Sequence, residues 1–240
     1  MATQPLVLLL NSDAVTSRSS IEESADYMAR HPQVGVLGPR ILTPDHTPQS
    51  SCWREPALKW MLMEALGLSK FKQLNFERYN ERVFDQPVDV ECVCGCAMMI
   101  RRELLEQLGG LDEEYFMYFE ETDFCVRTRR QGYRVHHAPV GTFWHEDGGT
   151  SKRVRLRTYL DFRRSQILFY LKHQGPAAAL AARALLATSS AVRLGPLLAL
   201  AALGGERGAR AADRARLNFN GLLWLLNPTS GLVPDVDRSQ

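Results

Sequence analysis

The chain has 240 residues, 45% of them hydrophobic and 23% charged, which excludes a disordered chain and supplies apolar material for one core plus an appendage. A formal net charge of +2 hides an asymmetry: residues 1–150 carry 15 Lys and Arg against 22 Asp and Glu, whereas residues 151–240 carry 14 against 5. An acidic body suited to a divalent cation is joined to a basic tail suited to an anionic membrane surface, a pattern that does not point to nucleic acid.

Leu6–Leu10 is a continuous apolar run that predicts a buried parallel strand delivering the polar loop Asn11-Ser12-Asp13 at its carboxyl end. The five residues ahead of it carry no basic n-region, and the run is too short for a signal peptide, so no export signal is predicted. Ser20 and Glu23 have the spacing of a capping box before a helix holding Ile21, Ala25 and Met28, which should stop before Pro32. Val34–Leu42 follows as a second strand, broken at Gly38-Pro39. Residues 44–88 have weak periodicity and predict an irregular excursion with one or two short helices around Leu58–Leu68.

Val88–Ile100 predicts a strand in which Gly95 marks a kink or the close approach of another group. Cys92, Cys94 and Cys96 invite a zinc site. On one strand they would all face the same way, without the turn that wraps a tetrahedral ion. Small buried hydrophobes in a reducing cytosol are the expected role for these three and for Cys52 and Cys125. Next come a short helix, Glu103–Leu108, closed by Gly109-Gly110, and the aromatic cluster Tyr115, Phe116, Tyr118 and Phe119. A helix over Glu121–Arg130 ends at Gly132, and strands are expected at Tyr133–His136 and Val140–Trp144, the latter leading to His145. After residue 155 the chain should be helical. A mixed aromatic and basic helix precedes the Ala/Leu-rich stretch from Pro176 to Gly205, then a basic stretch Arg207–Arg216 and an apolar Leu217–Leu226. Arg193 near the centre of the best apolar window opposes spanning, so these helices are expected to lie in a membrane interface; packing on the domain is the alternative.

Glu120, Glu121 and Asp123 are three acids within four residues at a helix start. The macrodipole favours their ionised forms, while mutual repulsion raises at least one pKa and makes a base. Sugar transfer with inversion needs such a base for the acceptor hydroxyl, and a cation for the departing diphosphate. Each element also has a plainer role: Asn-Ser-Asp as a turn, the acids as a helix start, His145 as a packed histidine, the aromatics as core, Asp112 as a loop cap.

Taken in order, Gly95-Cys96-Ala97-Met98-Met99-Ile100-Arg101-Arg102, then Gly109-Gly110-Leu111-Asp112, then Tyr118-Phe119-Glu120-Glu121-Thr122-Asp123 resemble the acceptor-side half of inverting family-2 glycosyltransferases of the GT-A fold, in particular the rhamnosyltransferase-like members. The resemblance runs from about Val7 to about Tyr170. It implies an α/β, Rossmann-like GT-A core over residues 1–155 and a helical, membrane-associating region over 156–240. In that family a βαβ segment of roughly eighty residues that holds the nucleotide base precedes this point, so the core is expected to be N-terminally truncated. Asn11-Ser12-Asp13 resembles the family's variant of the Asp-x-Asp motif, which makes Asp13 the expected ligand of Mg²⁺ or Mn²⁺ and Asn11 a helper. Glu121 matches the position of the catalytic base, with Asp123 as fallback, and His145 in Trp144–Ser151 the histidine near the metal and diphosphate. Gly95, Arg101, Asp112 and Glu120 are expected toward substrate, with a structural role for Arg101 and Arg102 left open.

The implied activity is transfer of a sugar, with dTDP-rhamnose the leading donor, to a lipid-linked or polysaccharide acceptor. The implied place is the cytoplasm, peripheral on the inner face of the plasma membrane. A non-catalytic membrane-bound scaffold and a metal-dependent phosphohydrolase built on the acids and His145 are the other two classes.

Overall fold

Strands β1 (Leu6–Leu10), β2 (Ala14–Thr16), β3 (Val34–Leu42), β7 (Ala97–Arg101) and β8 (Arg134–His145) form a mixed sheet in the order β1-β7-β3-β8-β2, and the short β5 (Val88–Asp89) also pairs with β8. The computed structural model describes residues 4–66, 79, 85–146, 155–227 and 233. The part of the predicted excursion at 67–78 and 80–84, and Asp147–Ser151 after His145, lie outside them. Two compact units result: Met1–Glu55 with Phe76–Glu114 and Glu120–Lys152, and Pro56–Asn75 with Tyr115–Phe119 and Arg153–Gln240.

In the first unit β3 and β8 run parallel in the middle of the sheet, and Val36 and Leu37 of β3 are fully buried. Their pairing jumps from Gly38↔His137 to Arg40↔Thr142, so β8 carries its extra residues around Pro139 and Gly141 as a bulge. The two strands expected at Tyr133–His136 and Val140–Trp144 are therefore one. Pro139 cannot donate to a ladder, but a bulge accommodates it. β1 departs from expectation: it pairs with β7 antiparallel, from Leu6↔Arg101 to Leu10↔Ala97, and is half-buried at the edge of the sheet.

Helix α1 (Arg18–Arg30) packs on β8 and β3. Its cap is Ser17, not Ser20: Ser17 is extended and its hydroxyl accepts from the Ser20 N–H at 3.1 Å. The predicted capping box fails because both members serve β8. The Ser20 hydroxyl accepts from the Thr142 N–H, and the Glu23 carboxylate accepts from the Gly141 N–H. The helix ends at Arg30 as expected, two residues before Pro32.

Val88–Ile100 is three short strands and a turn: β5, β6 (Cys92–Val93) and the start of β7, with Gly95 and Cys96 in the turn. β6 pairs with β4 (Cys52–Trp53). Cys94 and Cys96 therefore leave the strand, and among the described residues no group of three His, Cys, Asp or Glu side chains could hold a metal ion. Helices α3 (Arg102–Gln107) and α4 (Glu120–Arg130) complete this unit, and Gly109 and Gly110 take positive φ after α3.

The second unit is helical: α2 (Leu58–Ala65), α5 (Arg155–Gln174), α6 (Pro176–Ala202) and α7 (Gly205–Leu226). Its core joins Met61, Ile167, Tyr170, Ala179, Ala182, Leu186 and Leu225. Helices α6 and α7 lie against each other along a seam of small residues, Ala182 on one and Gly208, Ala211 and Ala215 on the other; a Cβ on Gly208 would stand 2.9 Å from the Ala201 carbonyl oxygen. Arg183 ties down the far end of α7 by donating to the carbonyls of Leu225 and Asn227. The aromatic segment 115–119 belongs to this unit: Tyr118 and Phe119 meet Phe162 edge to face, and the Met117 carbonyl accepts from the Ser165 hydroxyl. Those rings are packing surface.

Candidate active site

The acidic site is assembled where β1 ends, α4 begins and the Cys94-Gly95-Cys96 turn passes between them. The last pair of β1 and β7 is Leu10↔Ala97, and the Asn11 N–H then donates to the Cys96 carbonyl at 3.0 Å. One residue earlier, Gly95 lies against α4: a Cβ there would stand 3.3 Å from the Cβ of Glu121 and 3.5 Å from its Cγ. The close approach expected at Gly95 is thus made by the side chain of Glu121.

Glu120, Glu121 and Asp123 occupy the first turn of α4, and Arg127, Arg129 and Arg130 the last, so both ends suit the helix dipole. The three acids have different surroundings. Asp123 is 2% exposed and its carboxylate accepts from Arg127 Nε at 2.7 Å, while the same guanidinium donates to the carbonyls of Leu108 and Gly110. It locks α4 to the Gly109-Gly110 turn, and as a fallback base it is committed elsewhere. Glu121 has no such partner: its Oε2 is out of contact with solvent and makes no hydrogen bond. Burial, then the charge of Glu120, push its carboxyl up to about 8. Burial also raises the Glu120 carboxyl, whose Oε2 is likewise unpartnered. Desolvation here outweighs the dipole. Beside them Cys94 hydrogen-bonds with Cys96, which with burial raises the Cys96 thiol.

Asp13 and His145 form a second pair. Ala14↔His145 is a β2–β8 pair, which brings His145 Nε2 to 3.4 Å from Asp13 Oδ1. The amide oxygen of Gln49 lies 3.2 Å from Nδ1; with the proton on Nδ1, the Nε2 lone pair faces Asp13. The aspartate is 36% exposed and the histidine buried, so the pair opens to one side. An imidazole lone pair beside a carboxylate is a donor set that fits a divalent cation taking its remaining ligands from elsewhere. Asn11 joins the loop through its backbone, accepting from the Ala14 N–H.

Two predicted residues stand apart. Arg101 is at the opposite end of β7 from Ala97, roughly 13 Å along the strand, and its guanidinium donates to the carbonyls of Val34, Met28 and His31. It clamps the end of α1, the structural role left open for it. Asp112 accepts from the Glu114 N–H, a loop cap. Sequence reasoning missed Gln49 and Arg127. Arg127 was visible as the i+4 partner of Asp123; Gln49, 96 residues from His145, had no local signal.

Phe119 and Tyr118, the two residues before Glu120, both have left-handed backbones, φ 70° and 64°. Such conformations cost a bulky residue about 1–3 kcal/mol and gather at functional sites.

The model of glycosyltransferase like family 2 matches residues 1–166. The chain is 30% identical over 159 residues to the low-salt glycan biosynthesis hexosyltransferase Agl10 of Haloferax volcanii, covering 65% of this chain and 48% of that one. It is 30% identical over 150 residues to the N-acetylglucosaminyl-diphospho-decaprenol L-rhamnosyltransferase of Mycobacterium tuberculosis, covering 61% and 48%, and 32% identical over 75 residues to the rhamnosyltransferase WbbL of Escherichia coli, covering 31% and 26%. The chain spans about half the length of the first two relatives, or less. With a matching family model over most of the chain, an α/β core of GT-A type and a helical C-terminal region, the protein belongs to glycosyltransferase like family 2.

Proposed function

We propose that the protein takes part in transfer of a sugar, with inversion, from a nucleotide-diphosphate donor to a hydroxyl of a lipid-linked or polysaccharide acceptor in cell-envelope glycan synthesis. Rhamnose is the donor sugar favoured by the names of the relatives. The observation that carries this reading is Glu121 at the start of α4, whose Oε2 is out of contact with solvent and makes no hydrogen bond, with Gly95 packed against its side chain. In the reaction the acceptor O–H gives its proton to the Glu121 carboxylate, the acceptor oxygen bonds to the anomeric carbon, and the bond from that carbon to the diphosphate oxygen breaks. The positive end of α4 holds the carboxylate in place, and Gly95 leaves it room.

Asp13 and His145, with Asn11 in support, are the residues that would hold Mg²⁺ or Mn²⁺. Such a cation, when bound, supplies charge stabilisation to the leaving diphosphate. The relatives named for a diphospho-decaprenol acceptor and the basic region after residue 151 support work on the cytoplasmic, inner face of the plasma membrane, with the protein bound peripherally.

Glu121→Gln should lower transfer by about 10²–10⁴-fold while donor binding, followed by calorimetry, stays as in the wild type. Joint loss of donor and Mn²⁺ binding would make Glu121 a ligand or a structural residue. Acceptor-independent nucleotide hydrolysis would replace the transferase by a phosphohydrolase, and acceptor binding without turnover would leave a scaffold.

A further inference from the structure

Helix α6 presents a long surface that carries no charge. Its 27 residues contain two charged side chains, Arg183 and Arg193, and both are partly buried. Every exposed position is uncharged, and Thr188 is the sole hydroxyl among them; Leu180, Val192 and Leu198 are each about 60% exposed, and Leu203 just beyond the helix is 80% exposed. At about 1.5 Å per residue this face is roughly 40 Å long. Soluble surfaces rarely leave so extended an apolar patch uncovered.

Its packing partner α7 exposes charge in its first half, Glu206 and Asp213 among the arginines, and Phe219, Leu223 and Leu226 further on. Arg207, Arg210 and Arg214 recur at three- and four-residue intervals, share one side of the helix and are exposed. Arg210 has Glu206 at 3.6 Å, an exposed and therefore weak pair.

We propose that the outward face of α6 docks on a lipid bilayer and that the arginine row of α7 binds its anionic headgroups. This rests on the membrane-side reading above and assigns it to one surface. Three observations select the occupant. Charge complementarity demands an anionic partner, which a second copy of this basic region is not. The exposed face of α6 has no Trp, Tyr or Phe, the anchors typical of protein interfaces, but generic aliphatic side chains that suit acyl chains. Helix α6 is long and apolar enough to cross a membrane, yet it is paired along its length with α7, whose Arg207, Arg210, Arg214 and Arg216 cannot enter hydrocarbon, so the pair lies in the interface plane.

The test is flotation of the purified chain with vesicles of phosphatidylcholine containing phosphatidylglycerol, or of phosphatidylcholine alone. The variants are Leu198→Glu with Leu203→Glu, and Arg207→Gln with Arg210→Gln and Arg214→Gln, each checked for unchanged helical circular dichroism. The wild type should float with the anionic vesicles. The Glu pair should bind at least about tenfold more weakly, and the arginine variant about fivefold more weakly per arginine with a reduced salt dependence. Failure of the wild type to float, or flotation of the Glu pair as wild type, overturns the proposal. So does a concentration-dependent dimer that the Glu pair dissolves without any flotation. Flotation without sugar transfer removes the proposed function and leaves this inference; transfer to a water-soluble acceptor without flotation does the reverse.

Discussion

Glu121 and Asp123 sit two residues apart on one helix turn and meet opposite fates. Asp123 is neutralised by Arg127, while Glu121 is buried against Gly95 and the charge of Glu120. From the sequence the three acids could not be ranked by environment, because burial and pairing arise from chain segments far apart; the family resemblance alone ordered them. The raised carboxyl has two measurable effects. Free enzyme must lose the proton before it can act as base, so kcat/KM should climb with pH through about 8 and level above it. A limb near pH 4–5 would show that burial does not tune the base. The folded chain also keeps a proton that the unfolded chain releases near 4.5. Stability from that proton is complete below pH 4.5 and is lost as pH rises through about 8. Glu121→Gln should therefore melt like the wild type at pH 4 and be more stable by about 1–3 kcal/mol at pH 8, as followed by circular dichroism. Arg101 shows the converse limit: a structural role was open for it, but no local signal named the carbonyls of Met28, His31 and Val34 that claim it.

Among the elements, α1, β3, α3 and α4 were legible, because periodicity and terminators such as Pro32, Gly109 and Gly132 are local signals. Val88–Ile100 was not, since the apolar residues that make it read as one strand are shared among three pairings, β5–β8, β4–β6 and β1–β7–β3, with a turn at Gly95 before the last. The cap of α1 was misplaced for a related reason. Ser20 and Glu23 have cap spacing, but their partners are backbone N–H groups on β8, about 120 residues away. Substitution separates the roles: Ser17→Ala should cost about 1 kcal/mol as a lost cap. Gly141→Ala should cost about 2–4 kcal/mol, because Gly141 has φ 65° and a Cβ there would stand 2.5 Å from the Ser20 carbonyl oxygen. Denaturant midpoints read both, and equal losses would refute the assignment of the cap.

At the scale of the whole molecule, the charge asymmetry and the helical tail were evident in composition, and the expected division at residue 155 falls close to where α5 begins. What composition could not reveal is that the helical unit also recruits Pro56–Asn75 and Tyr115–Phe119 from inside the sequence of the α/β unit. Met61 and Phe119 are buried by helices that come later in the chain. A chain ending at residue 152 should accordingly bind a hydrophobic dye and aggregate instead of yielding a soluble core, which size-exclusion chromatography would show. The same recruitment bears on the two left-handed residues, Tyr118 and Phe119, whose rings rest on Phe162. Were both to relax into the right-handed well, α4 would gain two residues at its front. Glu120 would then become the third residue of the helix and Glu121 the fourth, and the leading unpaired N–H groups would belong to Tyr118 and Phe119. The left-handed backbone of Tyr118 and Phe119 thus fixes where the helix begins, and with it how near the positive end lies to the carboxylate.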